Sequence, residues 1–249
     1  MHACIDIRGA KLYAGTGIGT YTMRLMENIQ AIDSDNHYSF FWPNGGYESF
    51  ATKKNIQVIL FGERNKKFWD ECYLPKKLKP DVFHLPQNGL GLPVRKYSKY
   101  VVTVHDLIPY TMPETCGKSY LDKFTTEMPF ILDKSDLIIT VSQYSKDDII
   151  KYFDVPQEKI KVTYLAADSI FRHMDKDTAW DLLKHKYNYS TDYILYVGGF
   201  SPRKNVDGLL HAYKAIYKEL PGRYDLMILG ASKDDHYETK KKVYALGIE

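Results

Sequence analysis

Along the whole chain, short β-branched apolar runs alternate with stretches whose apolar residues recur every three or four positions. The runs at 2–7, 37–42, 56–61, 81–84, 99–104, 136–141, 160–164, 192–197 and 224–229 predict strands. The periodic stretches at 19–32, 117–133, 145–153, 176–187, 205–219 and 235–246 predict helices. Val101-Val102-Thr103-Val104 and Leu137-Ile138-Ile139-Thr140-Val141 are almost continuously apolar, as strands buried on both faces are. Strands and helices in alternation predict a mostly parallel sheet with helices on both sides, a doubly wound α/β fold. The chain carries no internal repeat and no low-complexity tract.

The pattern changes near 165–191, where mixed polar residues precede a new strand at Asp192. The expected division is a Rossmann-like domain over 1–170, a linker over 171–191 and a second Rossmann-like domain beginning at 192. Only two strands and two helices follow, and Leu246-Gly247 has the character of a helix C-cap. Two parallel strands make a poor sheet by themselves. The second domain is therefore expected to be incomplete, and the chain a truncated form of a longer one.

Composition narrows the classes. The 249 residues carry a formal charge of only +3, which argues against a dedicated nucleic-acid binder. Between Lys53 and Lys99, however, eleven Lys and Arg face four Asp and Glu. Phe68, Trp69, Tyr73 and Leu74 are interleaved there. Such a stretch suits peripheral contact with anionic lipid, or an ordinary solvated helix with its apolar face in the core, and Pro75 interrupts any long amphipathic helix. Cys4, Cys72 and Cys116 are too far apart for a disulfide framework or a zinc ribbon. With no basic-then-apolar leader, the expectation is a cytoplasmic protein, touching at most the inner face of the cell membrane.

Candidate chemistry sits where strands end. Asp192 to Val197 runs into Gly198-Gly199-Phe200-Ser201-Pro202-Arg203-Lys204-Asn205, and a periodic helix follows. Two cations at a helix start oppose the macrodipole unless an anion is bound. Strand, glycine turn and helix N-terminus form a common phosphate grip. Gly198, Gly199, Ser201, Arg203 and Lys204 are thus candidates for a diphosphate site. Gly15-Thr16-Gly17-Ile18-Gly19-Thr20-Tyr21 similarly joins the first strand to the first helix, offering either a ligand-facing turn or simply a flexible one. A nicotinamide site would want an acidic residue after the second strand, yet Pro43-Asn44 stands there. His105-Asp106 closes a buried strand, where a histidine can bond a substrate hydroxyl or move protons. The bland alternative is a structural pair that stiffens the loop. Ser142 is a further candidate, whereas Ser145 suits a helix cap. The D-x-D pairs Asp33/Asp35 and Asp175/Asp177 fit a divalent ion beside a diphosphate, but they border helices, where turn and cap roles are commoner. No histidine or cysteine spacing fits zinc.

These residues in this order resemble the group 1 (family 4) retaining glycosyltransferases, enzymes of the two-domain GT-B fold. The resemblance is carried by Gly17-x-Gly19-x-Tyr21, Val104-His105-Asp106-Leu107, Thr140-Val141-Ser142-x-x-Ser145, Tyr164-Leu165-Ala166-Ala167-Asp168 and the loop from Gly198 to Asn205. Its Pro202-Arg203-Lys204-Asn205 form looks like a branch rich in bacterial mannosyltransferases of surface-polysaccharide synthesis. The resemblance implies transfer of a hexose, such as mannose, from a nucleoside-diphosphate sugar to a glycan or lipid-linked acceptor. It implies that Arg203 and Lys204 hold the diphosphate, that His105 positions the sugar, and that the Gly17–Gly19 turn faces the cleft. It also implies that neither a metal nor another cofactor takes part. Gly199 stands where many relatives carry Arg, and Leu165-Ala166-Ala167-Asp168 replaces their N-G-V-D. Their E-x7-E element has no counterpart after the Arg-Lys loop; Glu63 and Glu71 share its spacing by coincidence. The chain alone is thus expected to be inactive. Two alternatives stay open: a non-catalytic acceptor- or partner-binding module, and a metal-dependent transferase using a D-x-D pair.

Overall fold

A computed structural model describes residues 1–43, 46, 53–61, 77–230 and 236–249. These fall into two units, Met1–Leu165 and Ala166–Glu249, so 171–191 belongs with the second.

The first unit is built on a seven-stranded sheet with strands β1 (His2–Asp6), β2 (His37–Pro43), β3 (Ile56–Phe61), β4 (Val82–Leu85), β5 (Lys99–Val104), β6 (Leu137–Thr140) and β7 (Ile160–Val162). All pairings are parallel and the order is β3-β2-β1-β4-β5-β6-β7. Its helices are α1 (Gly9–Leu12), α2 (Gly17–Ile32), α3 (Ile108–Thr111), α4 (Lys118–Lys134) and α5 (Gln143–Phe153). The four-residue helices α1 and α3 are too short to leave a periodic trace in sequence.

Both faces of the sheet are covered, which explains the unbroken apolar runs. Ala3, Ile5 and Ile7 point into one cluster with Met26 and Phe40. Cys4 points into the other, with Tyr100, Val102, Val104, Phe124 and Ile138. Burial in that cluster pushes the Cys4 thiol up to about 12, so it is a packed, unreactive group. Helix α4 tolerates Pro129 because the carbonyl freed by its missing N–H is taken up elsewhere. Tyr110 Oη donates to that carbonyl, on Thr125, at 3.1 Å.

The second unit pairs β8 (Asp192–Val197) with β9 (Tyr224–Leu229) in parallel. Around them lie α6 (Lys176–Tyr187), α7 (Val206–Ile216) and α8 (His236–Leu246). The periodic pattern had extended α7 to 219; Pro221 forces the chain out of helix before it. Gly247, at φ +61°, ends α8 as its C-cap character implies. Among the described residues of this unit, the buried hydrophobic side chains are Val206 and Leu210.

Candidate functional site

In the first unit the strand order reverses between β1 and β4, and ligands of doubly wound sheets bind beyond the carboxyl ends at that point. Asp6 ends β1 fully buried, its carboxylate gripped by the Arg8 guanidinium in a fork and by the Arg8 N–H at 3.2 Å. Past β4 the chain turns through Asn88 at φ +55°, a conformation asparagine tolerates. Asn88 Oδ1 accepts from the His105 N–H at 2.9 Å, and its Nδ2 donates to Tyr120 Oη at 3.2 Å.

His105 follows β5 and is buried. Its Nε2 lies 2.8 Å from the Pro86 carbonyl, which can only accept, so Nε2 carries the proton. Burial lowers its pKa, while the Pro86 carbonyl and Asp106 push it back up. A neutral ring bonded in this way leaves Nδ1 as an acceptor. The Tyr21 ring stands edge-on to the imidazole at 4.8 Å. Asp106 Oδ1 accepts from the Ile108 N–H at 3.2 Å and shapes the start of α3.

The serines exchange their expected roles. Ser142 is the cap of α5, accepting from the Ser145 N–H at 3.0 Å. Ser145 lies inside the helix, buried, and donates to the His105 carbonyl at 2.9 Å. Its hydroxyl is needed by the neighbouring strand end, so the helix starts earlier and Ser142 satisfies the free N–H.

Gly17 and Gly19 form the first turn of α2, whose cap is Thr16 Oγ1, 3.2 Å from the Gly19 N–H. A Cβ on Gly19 would lie 2.1 Å from the Tyr13 carbonyl oxygen, so this glycine is required by packing. The D-x-D pairs have local partners. Asp33 accepts from the N–H groups of Asp35 and Asn36 and from the Tyr38 hydroxyl. Asp175 caps α6 by accepting from the Thr178 N–H at 2.9 Å.

In the second unit, Pro202–Lys204 form a single 3₁₀ turn, and Asn205 in the left-handed region caps α7 through Gly208 N–H at 3.1 Å. Arg203 and Lys204 are exposed, and neither makes an ion pair among the described residues. Gly198 and Gly199 lie at the carboxyl end of β8, with the Gly198 N–H bonded to the Leu229 carbonyl at 2.9 Å. Opposite, a Cβ on Gly230 would come 2.3 Å from the Gly198 oxygen, so the two strand ends close up only through glycine. A hollow of about 410 Å³ opens beside this loop, lined by Phe200, Ser201, Pro202, Asn205, Asp207 and Lys242 among others.

Several groups at the β1–β4–β5 ends were not singled out by sequence: the Asp6–Arg8 fork, Asn88, His84 and Thr103. An Asp-x-Arg at a strand end was the one local signal available. Glu63, Glu71, Cys72 and the aromatic part of the basic stretch lie outside the described residues. Among the described residues, no helix is long and apolar enough to cross a membrane.

Comparison with known proteins gives a consistent result. A family model described as Glycosyltransferase Family 4 matches residues 15–169. O-antigen chain mannosyltransferase B from Escherichia coli is 29% identical over 237 residues, covering 88% of this chain and 61% of its own. The serotype-specific mannosyltransferase WbdA of Escherichia coli is 29% identical over 132 residues, covering 52% of this chain and 16% of its own. A crystal structure of Anabaena HepE in complex with UDP-glucose superimposes with a TM-score of 0.66 at 15% identity, covering all of this chain and 66% of that one. WaaG, a glycosyltransferase involved in lipopolysaccharide biosynthesis, gives 0.65 at 13% identity, covering all of this chain and 68% of that one. The fold is therefore that of the GT-B glycosyltransferases, and the chain spans 61% of the length of the first curated relative it matches. With its family model spanning residues 15–169, the chain belongs to Glycosyltransferase Family 4.

Proposed function

We propose that the protein works in surface-polysaccharide synthesis, transferring a hexose from a nucleoside-diphosphate sugar to a glycan or lipid-linked acceptor. The mannosyltransferase relatives favour mannose, and the resemblance favours retention at the anomeric carbon. In this reading the bond from the anomeric carbon to the diphosphate breaks and the acceptor oxygen takes its place. The acceptor's proton leaves with the departing diphosphate.

The observation that carries the reading is the fixing of His105 at a strand end beside the switch point. Its backbone is held by Asn88 and Ser145, and its Nε2–H by Pro86. That leaves Nδ1 to accept from a hydroxyl of the sugar. Arg203, Lys204 and the start of α7 receive the diphosphate and stabilise its growing charge, with no metal required. Gly198, Gly199 and Ser201 let the backbone approach the phosphates, and the hollow beside them holds a neighbouring part of the donor. Asp106, the Gly17–Gly19 turn and Tyr21 complete the sugar and acceptor side. The protein acts in the cytoplasm, with the basic stretch 53–99 its point of contact with the membrane.

Calorimetric titration with GDP-mannose and UDP-glucose tests this reading. Lys204→Ala is expected to weaken the preferred donor by about 1.5–3 kcal/mol, the worth of a charge-assisted contact, or roughly tenfold to a hundredfold. Binding is expected to persist in a strong chelator. Equal affinity in a folded variant would overturn the assignment.

A further inference from the structure

We propose that Thr103, backed by His84, is a positioning residue that holds His105 in place through Tyr21. Thr103 is the one polar residue in the run Val101-Val102-Thr103-Val104, and it is completely buried. A valine there would fill the same space, so a buried hydroxyl calls for a polar reason. Its Oγ1 lies 2.9 Å from His84 Nε2 on β4 and 3.3 Å from the Tyr21 hydroxyl on α2. The three side chains form one line of hydrogen bonds across β4, β5 and α2.

A threonine hydroxyl has one proton to give and can accept as well. If His84 Nε2 accepts, Thr103 donates to it and accepts from Tyr21. If Nε2 carries the proton, the line runs the other way. Either direction links all three groups, and the first also gives the Tyr21 proton an acceptor. Burial keeps His84 neutral, lowering its pKa to about 4.

The far end of the line touches His105. The Tyr21 ring meets the imidazole edge-on, at an interplanar angle of 89° and a centroid distance of 4.8 Å. The imidazole is thus held by the Pro86 carbonyl on Nε2 and by the Tyr21 ring, which Thr103 tethers through its hydroxyl. Without the tether Tyr21 is free to rotate, and the imidazole is free to leave Pro86 and adopt its other neutral tautomer. The consequence for transfer rests on the reading of His105 as the group that meets the donor sugar; the mechanical linkage does not.

The test is histidine nitrogen NMR on the 249-residue chain, at a pH where His105 is neutral. Wild type is expected to show His105 in the single Nε2–H tautomer. In Thr103→Val that single population is expected to be lost to a mixture of both tautomers. Thr103→Ser, which restores the hydroxyl, is expected to recover it. Tyr21→Phe, which keeps the ring and removes only the tether, is expected to repeat the valine result, and decides the matter by itself if Thr103→Val does not fold. A folded Thr103→Val with the wild-type tautomer would overturn the proposal. So would a Tyr21→Phe chain that keeps it. Failure of donor binding in calorimetry, with the tautomer response intact, would remove the functional reading and leave the linkage standing.

Discussion

His105 shows how much positioning a single residue can receive from its neighbours. Its backbone N–H, backbone carbonyl and Nε2 each have a partner, drawn from the segments that follow β4 and β6. Measured in a transfer-competent form of the enzyme, His105→Ala is expected to cut the transfer rate by about a hundredfold or more, in the range of a positioned acid–base or orienting group. Wild-type turnover would return the residue to a structural role. Gly19 depends on space, since its place of a Cβ is taken by the Tyr13 carbonyl at 2.1 Å. Gly19→Ala is expected to destabilise the chain by about 1–3 kcal/mol as an overpacked site does, read as a shifted urea midpoint. Both residues were visible in the sequence as members of motifs. Their partners were not, because Asn88 and Pro86 reach His105 only when β4 and β5 lie side by side.

Among the elements, helix termini account for some of the polar residues that sequence offered as chemistry. Ser142, Asp175 and Asn205 each satisfy an N–H in the first turn of their helices. Ser142→Ala is expected to cost about 1 kcal/mol of stability in denaturant unfolding without changing donor affinity. Which of two serines caps α5 was not legible locally, since Ser145 is committed to the His105 carbonyl just past β5. Pro129 makes the same point within α4. Periodicity places it inside a helix, and the structure supplies the hydroxyl that makes it tolerable. Tyr110→Phe is expected to cost about 1 kcal/mol by leaving the Thr125 carbonyl without that donor.

For the whole molecule, the distribution of buried groups sets where stability lies and how it responds to pH. Among the described residues, both clusters of buried hydrophobic side chains belong to the first unit. Amide hydrogen exchange is expected to be markedly slower in β1, β4 and β5 than in β8 and β9. His84 has its pKa lowered from 6.5 to about 4 by burial, with His105 adding to the shift and Asp6 opposing it. The unfolded chain therefore binds the proton first. Stability is fully present above about pH 6.5 and falls as pH drops toward about 4, by up to about 3 kcal/mol for this group. Urea unfolding across that window is expected to show the loss, and His84→Gln to flatten it. Alternating apolar runs and helical periods determined, without any structure, the parallel α/β architecture and nearly every element in it, because burial on both sheet faces and amphipathic helices write themselves into local spacing. The glycine turn, His105 and the Arg203-Lys204 loop were legible for the same reason: each lies just past a strand that local pattern already marks. Only tertiary structure decided that Thr103 stands between His84 and Tyr21, that Asp6 ends its strand at the switch point, and which serine caps α5. Those facts depend on which strand lies beside which, and strand order is set by long-range packing that no window of sequence contains.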